Sequence, residues 1–199
     1  MKRNEVSNCL LCNSTLNQQI TWKALLTNAF PKTFCIDCEQ KFEPYENTSD
    51  QILSLYQYND AMKDFLHRYK FMHDIILAKV FREQIHKHLS KTRATIVPIP
   101  LHPAKLKERT FAQVDELLKA AHIPYEHFLE KTTTETQVGK TRQERLATSQ
   151  FFKLVKECKN KEILLIDDIY TTGATIQHAK SLLLESGAKS VKAFTLIRG

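Results

Sequence analysis

The sequence predicts an α/β fold, a parallel sheet flanked by helices, with a small four-cysteine unit in front of it. Three observations carry this. Past residue 50, short apolar runs alternate with stretches whose apolar residues recur at helical spacing. Two C-x2-C pairs stand near the start of the chain. The run I-L-L-I, Ile163–Ile166, stops at Asp167-Asp168 and is followed by T-T-G-A-T and a helical segment. Strands and helices in alternation imply a parallel sheet covered on both sides.

The cysteines come first along the chain. Cys9-Leu-Leu-Cys12 and Cys35-Ile-Asp-Cys38 are separated by 22 residues. Four thiolates surround a tetrahedral zinc at about 2.3 Å, and each x2 spacing brings one pair to one side of the ion. All four positions are committed, so no place is left for water and the metal is expected to be structural. A unit this small cannot fold on its own apolar area, so the metal supplies its folding free energy. Ile20, Trp22, Leu25, Leu26 and Phe30 are candidates to cover the site or to pack on the next domain. The polar stretch K-F-E-P-Y-E-N-T-S-D, Lys41 to Asp50, marks the boundary. Residues 1–50 are therefore read as a zinc-binding domain and 51–199 as the α/β domain.

Within the larger domain, Ile52–Tyr58 alternates apolar and polar residues and reads as a strand. Residues 60–71 and 74–89 carry helical spacing, with Met62, Phe65, Leu66 and Tyr69 in the first and Leu77, Val80, Phe81 and Ile85 in the second. Thr95–Ile99 is a β-branched run bounded by prolines. A helix is expected over 109–121, short strands at 125–129 and 151–155, a strand at Ile163–Ile166, a helix at 174–186 stopped by Gly187, and a last strand at Val191–Ile197.

Composition sets the outer limits. The chain has 199 residues, 42% of them hydrophobic and 26% charged, which is ordinary for a globular protein. Its net charge of +7 favours polyanions, either nucleic acid or phosphorylated small molecules. Five cysteines, an odd number, argue against a disulfide framework and leave Cys158 as a small core or surface residue. No stretch approaches the length of a transmembrane helix, and M-K-R-N-E-V-S-N-C-L-L-C-N lacks an apolar core of signal-peptide length. A cytoplasmic protein is the expectation.

The richest chemistry lies at Ile163–Thr175. Ligands of open α/β sheets bind beyond the carboxyl ends of the strands. Adjacent carboxylates at that edge repel unless something holds both, and the suitable partners are vicinal ribose hydroxyls or a divalent cation. Thr171, Thr172, Gly173, Ala174 and Thr175 then offer backbone N–H groups, hydroxyls and a helix amino terminus to one anion. Ribose acceptors followed by a phosphate cradle describe a ribose 5-phosphate site.

With these residues the chain resembles the type I phosphoribosyltransferases, whose 5-phosphoribosyl-1-pyrophosphate (PRPP) motif has this form. The resemblance implies that Asp167 and Asp168 contact the ribose 2′ and 3′ hydroxyls, that Thr171–Thr175 hold the 5-phosphate, and that Mg²⁺ accompanies PRPP. V-P-I-P-L-H-P, Val97 to Pro103, resembles the pyrophosphate-loop region of amidophosphoribosyltransferase-type proteins. K-L-K-E-R-T-F-A-Q resembles the R-L-x-x-R-G-F-N-Q of the competence protein F (ComF) family. Gln137 and Arg145 match that family's flexible loop, and Tyr69-Lys70-Phe71 its lysine-containing helix. With the cysteine pairs added, the chain is identified as a member of the ComF family, in its ComFC type. Its glycines after the lysine helix and within R-G-F-N-Q are replaced here by His73 and Thr110, and its asparagine by Ala112.

Membership implies a part in natural transformation: binding of PRPP or a relative, and cytoplasmic handling and uptake of single-stranded DNA with the ComFA helicase, at the inner face of the membrane through partners. His102, Lys105, Arg109, Gln137, Arg142 and Arg145 are the candidates for pyrophosphate. No catalytic residue is named. The rival expectations are an active phosphoribosyltransferase of unknown acceptor and a PRPP-sensing scaffold.

Overall fold

Residues 6–16, 30–47, 51–132 and 151–199 are described by a computed structural model of the protein. Ile20, Trp22, Leu25, Leu26, Gln137, Arg142 and Arg145 lie outside the described residues. The elements in order are α1 (Ile36–Glu39), β1 (Ile52–Gln57), α2 (Asp60–Phe71), a 3-10 segment (Ile75–Lys79), α3 (Arg82–Leu89), β2 (Thr95–Pro98), α4 (Pro103–Arg109), α5 (Gln113–Ala120), β3 (Leu129–Lys131), β4 (Phe152–Leu154), β5 (Glu162–Tyr170), α6 (Ala174–Glu185) and β6 (Ser190–Arg198). The main sheet runs β1-β6-β5-β2, every pair parallel, while β3 and β4 form a separate antiparallel ribbon. No helix among the described residues is long and apolar enough to cross a membrane.

Alternation along the strands divides the core between two faces. Ile166 and Phe194 join Met62, Phe65 and Tyr69 of α2, Ile85 of α3 and Leu117 of α5 on one face. Ile163, Leu165 and Val191 join Ile176, Ala179 and Leu183 of α6 with Phe128 and Phe152 on the other. A parallel sheet needs this double cover, because both of its faces are apolar. The first long helix starts where Asn59 accepts from the Met62 N–H at 3.1 Å. Its buried residues Met62, Phe65, Leu66 and Tyr69 recur at the spacing of one helical stripe. Cys158 belongs to the α6 face, with its thiol against the carbonyls of Leu183 and Ser186.

The cysteine pairs share a core with the sheet. Cys9, Phe34, Cys38 and Phe42 lie in the same cluster as Phe65 and Phe81, and the Phe42 and Phe81 rings stand 5.0 Å apart. Arg68 of α2 donates to the carbonyls of Leu11 and Leu10 at 2.9 and 3.0 Å. Arg82 donates to that of Pro31 at 2.6 Å.

Four elements depart from the periodicity. The stretch 74–89 opens as 3-10 turns before α3, and the strand expected over 125–129 forms at Leu129–Lys131 to pair with β4. β5 continues past Ile166 to Tyr170, since β6 stays opposite it as far as Arg198. The helix expected over 109–121 begins only at Gln113, and a separate helix, α4, precedes it and ends at Thr110, whose φ of +65° is left-handed.

Both positions where the family resemblance has glycine, His73 (φ +56°) and Thr110, fall in this region. A left-handed residue with a side chain is strained by about 1–2 kcal/mol, against about 0.5–1 kcal/mol of extra unfolded-chain freedom for glycine. Thr110→Gly is therefore expected to raise the urea midpoint by up to about 1 kcal/mol of stability. A lowered midpoint would contradict the strain.

Candidate ligand site and metal centre

A cavity of about 150 Å³ opens at the carboxyl ends of β2 and β5, lined among others by Lys70, Arg109, Gln113, Lys131, Asp167, Asp168 and Thr175. Lys70, in the last turn of α2, reaches Asp168 Oδ1 at 2.7 Å, with both side chains largely buried. The two carboxylates leave β5 in opposite directions, because neighbours on a strand face opposite sides. Asp168 thus takes the α2 face with Ile166, and Asp167 the α6 face with Leu165. This sets the two carboxylates on opposite faces without cancelling their repulsion. Lys70 neutralises Asp168, while Asp167 accepts from the Asp168 backbone N–H at 2.8 Å.

Burial, then the charge of Asp168, pushes the Asp167 carboxyl up to about 7, against the pull of that N–H and of Lys70 and Lys131. Unfolded, an aspartate ionises near about 4. Between about pH 4 and about pH 7 the folded chain keeps a proton that the unfolded chain has lost, so stability falls as pH rises through that window. Asp167→Asn is expected to flatten the fall and to exceed wild type in stability above about pH 7. Urea midpoints across the window measure this, and an unchanged slope in the variant would count against it.

After β5 the chain turns through Thr171–Gly173 into α6. Gly173 has a φ of +78°, which strains any residue with a side chain, and a Cβ there would have to displace the Tyr170 phenol. Arg198 covers that phenol, its guanidinium 4.0 Å from the ring centre. Gly173 at the N-cap of α6 supplies no side-chain cap, and the Ala174 N–H donates only a long bond, to Thr172 Oγ1. Thr171 and Thr172 are exposed, and Thr172 Oγ1 lies 3.5 Å from the Ala174 N–H.

Of the sequence-nominated residues, Asp167, Asp168, Thr175 and Arg109 meet at the cavity, with Thr171–Ala174 as the adjoining turn. His102 is turned to its own helix, accepting from the Ala104 N–H at the start of α4. Lys105 pairs with Glu108 at 2.8 Å, both exposed. Gln137, Arg142 and Arg145 lie outside the described residues. Sequence reasoning passed over Gln113 and the partnership of Lys70 with Asp168. Gln113 did leave a signal, as a polar residue opening the apolar stripe Val114, Leu117, Leu118.

The four nominated cysteines converge: the sulfurs of Cys9, Cys12, Cys35 and Cys38 all lie within 4.8 Å of one another. A tetrahedral ion with bonds of about 2.3 Å requires ligand atoms about 3.8 Å apart, and Cys12 Sγ stands 3.7 Å from Cys35 Sγ. That is far beyond a disulfide bond. The N–H groups of Cys12 and Cys35 point to Cys9 Sγ at 3.5 and 3.3 Å, as thiolates require. The Ser14 hydroxyl, 3.1 Å away, pulls the Cys12 thiol down to about 6, and the Cys38 N–H lowers that of Cys35. Burial raises the Cys38 thiol, an effect that a bound cation would reverse. The donor set and spacing fit a metal ion.

The phosphoribosyl transferase domain family matches residues 76–199. Over 96% of this chain, the sequence is 38% identical to the competence protein ComFC of Streptococcus pneumoniae, covering 99% of that protein. It is 33% identical to the competence protein ComFC of Bacillus subtilis, covering 96% of this chain and 94% of that one. A DNA utilization protein, YhgH, of Salmonella typhimurium is 26% identical, with 96% and 89% covered.

Proposed function

Because the chain belongs to the ComFC family and carries a phosphoribosyl transferase domain, we propose that it binds PRPP or a close phosphoribosyl relative and serves the handling of single-stranded DNA in natural transformation. One observation carries the ligand half: two carboxylates, one neutralised by Lys70, share a cavity edge with a glycine-requiring turn at a helix amino terminus. Asp167 and Asp168 accept from the ribose hydroxyls, and the turn from Thr171 to Thr175 donates to the 5-phosphate. Mg²⁺ accompanies the diphosphate and balances its charge. Zn²⁺ is the metal that four thiolates at this spacing select, in a structural role. Transfer to an acceptor needs none of these groups to move a proton, and no catalytic residue is assigned.

The DNA half has support in the surface beside the cavity. Phe71 follows Lys70 and is 57% exposed, more than half its area open to solvent. Arg109 lies over its ring at 5.5 Å and His67 beside it at 5.8 Å. An exposed ring beside an arginine stacks a base while neighbouring Lys and Arg hold phosphates. A ComFA-type helicase is the proposed protein partner, from family membership alone.

Calorimetric titration of the full chain with PRPP and Mg²⁺ tests the ligand half, and saturable binding at one site is expected. For DNA, binding of an oligothymidylate is expected to weaken steeply with salt. Phe71→Ala should lose about 1–3 kcal/mol of it, the worth of one stacked base. No binding at low salt would remove the DNA role and leave the ligand site standing.

A further inference from the structure

A second cavity, of about 370 Å³, lies between the cysteine segment and α2. Leu11, Phe42, Ala61 and Phe65 give it apolar walls, and Lys41 and Asp64 are its charged members. Its volume falls within the range of about 300–1,000 Å³ that ligand sites occupy. Lys41 and Asp64 are exposed, and among the described residues neither has an ion-pair partner. Both heads are therefore open to an occupant.

The cavity is continuous with the surface already assigned to DNA. His67 borders it, and the same ring lies 5.8 Å from that of the exposed Phe71. Asp64, His67 and Phe71 follow one another at i, i+3 and i+7, along one stripe of α2. At about 1.5 Å per residue Asp64 and Phe71 stand about 10 Å apart along the helix. That is the length of about three stacked nucleotides at about 3.4 Å each.

The walls select what enters. A phosphate would meet the Asp64 carboxylate and the sulfurs of Cys12 and Cys38, which also line the cavity, and would be repelled. A neutral planar group suits it better, with its faces on the apolar walls and an N–H edge donating to Asp64. A nucleobase has both features and arrives on an anionic backbone, which the chain's net charge of +7 attracts.

We propose that this cavity receives one base of a single strand that runs along α2 from Phe71, with a flanking phosphate held by Lys41. The proposal rests on the single-stranded DNA reading above and adds a second base site beside the metal centre.

The test is fluorescence anisotropy of a short labelled oligothymidylate, and of an abasic strand with the same number of phosphates, titrated with the metal-loaded full chain at low salt. Ala61→Leu fills the cavity from α2. Asp64→Leu removes an acceptor together with a negative charge, so a contact made only with phosphates would tighten. Each variant is expected to bind oligothymidylate at least about fivefold more weakly, the worth of one docked base. The salt slope should be unchanged, and the abasic strand should bind no more weakly than to wild type. Melting curves identify a variant that fails to fold, and the exposed Asp64 position then decides alone. Oligothymidylate affinity within about twofold of wild type would overturn the proposal and leave the cavity to a protein side chain. An equal loss for the abasic strand would overturn it as well, since phosphate and not a base would then fill the site. A wild-type chain that binds no strand at low salt overturns the DNA reading itself, a distinct failure.

Discussion

Removing the metal with a chelator is expected to lower the melting temperature of the whole chain by more than about 10 °C, and not just to loosen the segment around the cysteines. Structural zinc contributes about 10–16 kcal/mol to the folding of isolated finger peptides. Here the effect reaches further, because Cys9 and Cys38 are 2% and 6% exposed within the cluster that holds Met62, Phe65 and Phe81. Without a cation, sulfurs within 4.8 Å of each other would include at least one thiolate, since Cys12 is pulled down to about 6. That charge would sit beside thiols buried against aromatic rings. The Arg68 and Arg82 bonds to Leu10, Leu11 and Pro31 would also be weakened, since they depend on the cysteine segment keeping its place. Cys35→Ser should start from a lower melting temperature and respond less to the chelator. Thermal unfolding followed by aromatic circular dichroism measures both, and a wild-type curve unmoved by the chelator would contradict the metal's role in the core.

Much of the fold is legible because its signals are local. The four cysteines converge as their spacing requires, and the apolar run before Asp167 is a central strand of a parallel sheet. Helix α2 spans the residues its periodicity marks, Asp60 to Phe71. What escapes the sequence is non-local or strained. The Lys70–Asp168 pair joins residues 98 apart, and nothing near either one announces the other. Thr110 ends α4 in a left-handed conformation that β-branched residues avoid, so nothing in its residue type announces the stop between α4 and α5. The seam between the cysteine segment and the sheet is likewise hidden. It is made by Phe34, Phe42 and Phe81, and only the fold brings those rings together. Asp167 is legible as a residue type but not in its state, since its suppressed ionisation depends on burial in the walls of the cavity.

The largest effect at the ligand site is expected on binding. A ligand at about 100 times its dissociation constant stabilises the folded chain by about 2.7 kcal/mol. For a chain of this size that corresponds to a rise of about 5–10 °C in melting temperature. The rise depends on both halves of the site: carboxylates for the ribose and the turn for its phosphate. Asp167→Ala with Asp168→Ala removes the acceptors but also leaves the largely buried Lys70 without its partner. Asp167→Asn with Asp168→Asn keeps the shapes and leaves Lys70 an amide oxygen to bond, while replacing one acceptor oxygen of each carboxylate with a donor NH2, so it perturbs the fold less than the alanine pair does. A Gly173→Ala variant should likewise lose the response, because its Cβ would displace Tyr170 from beneath Arg198.

Thermal unfolding of wild type and of the Asp167→Asn, Asp168→Asn variant, each with and without PRPP and Mg²⁺, tests the central claim most directly. The expected result is a clear rise in wild type and none in the variant. A wild-type curve that PRPP leaves in place, or an equal rise in the variant, would contradict the assignment of this cavity as a phosphoribosyl site.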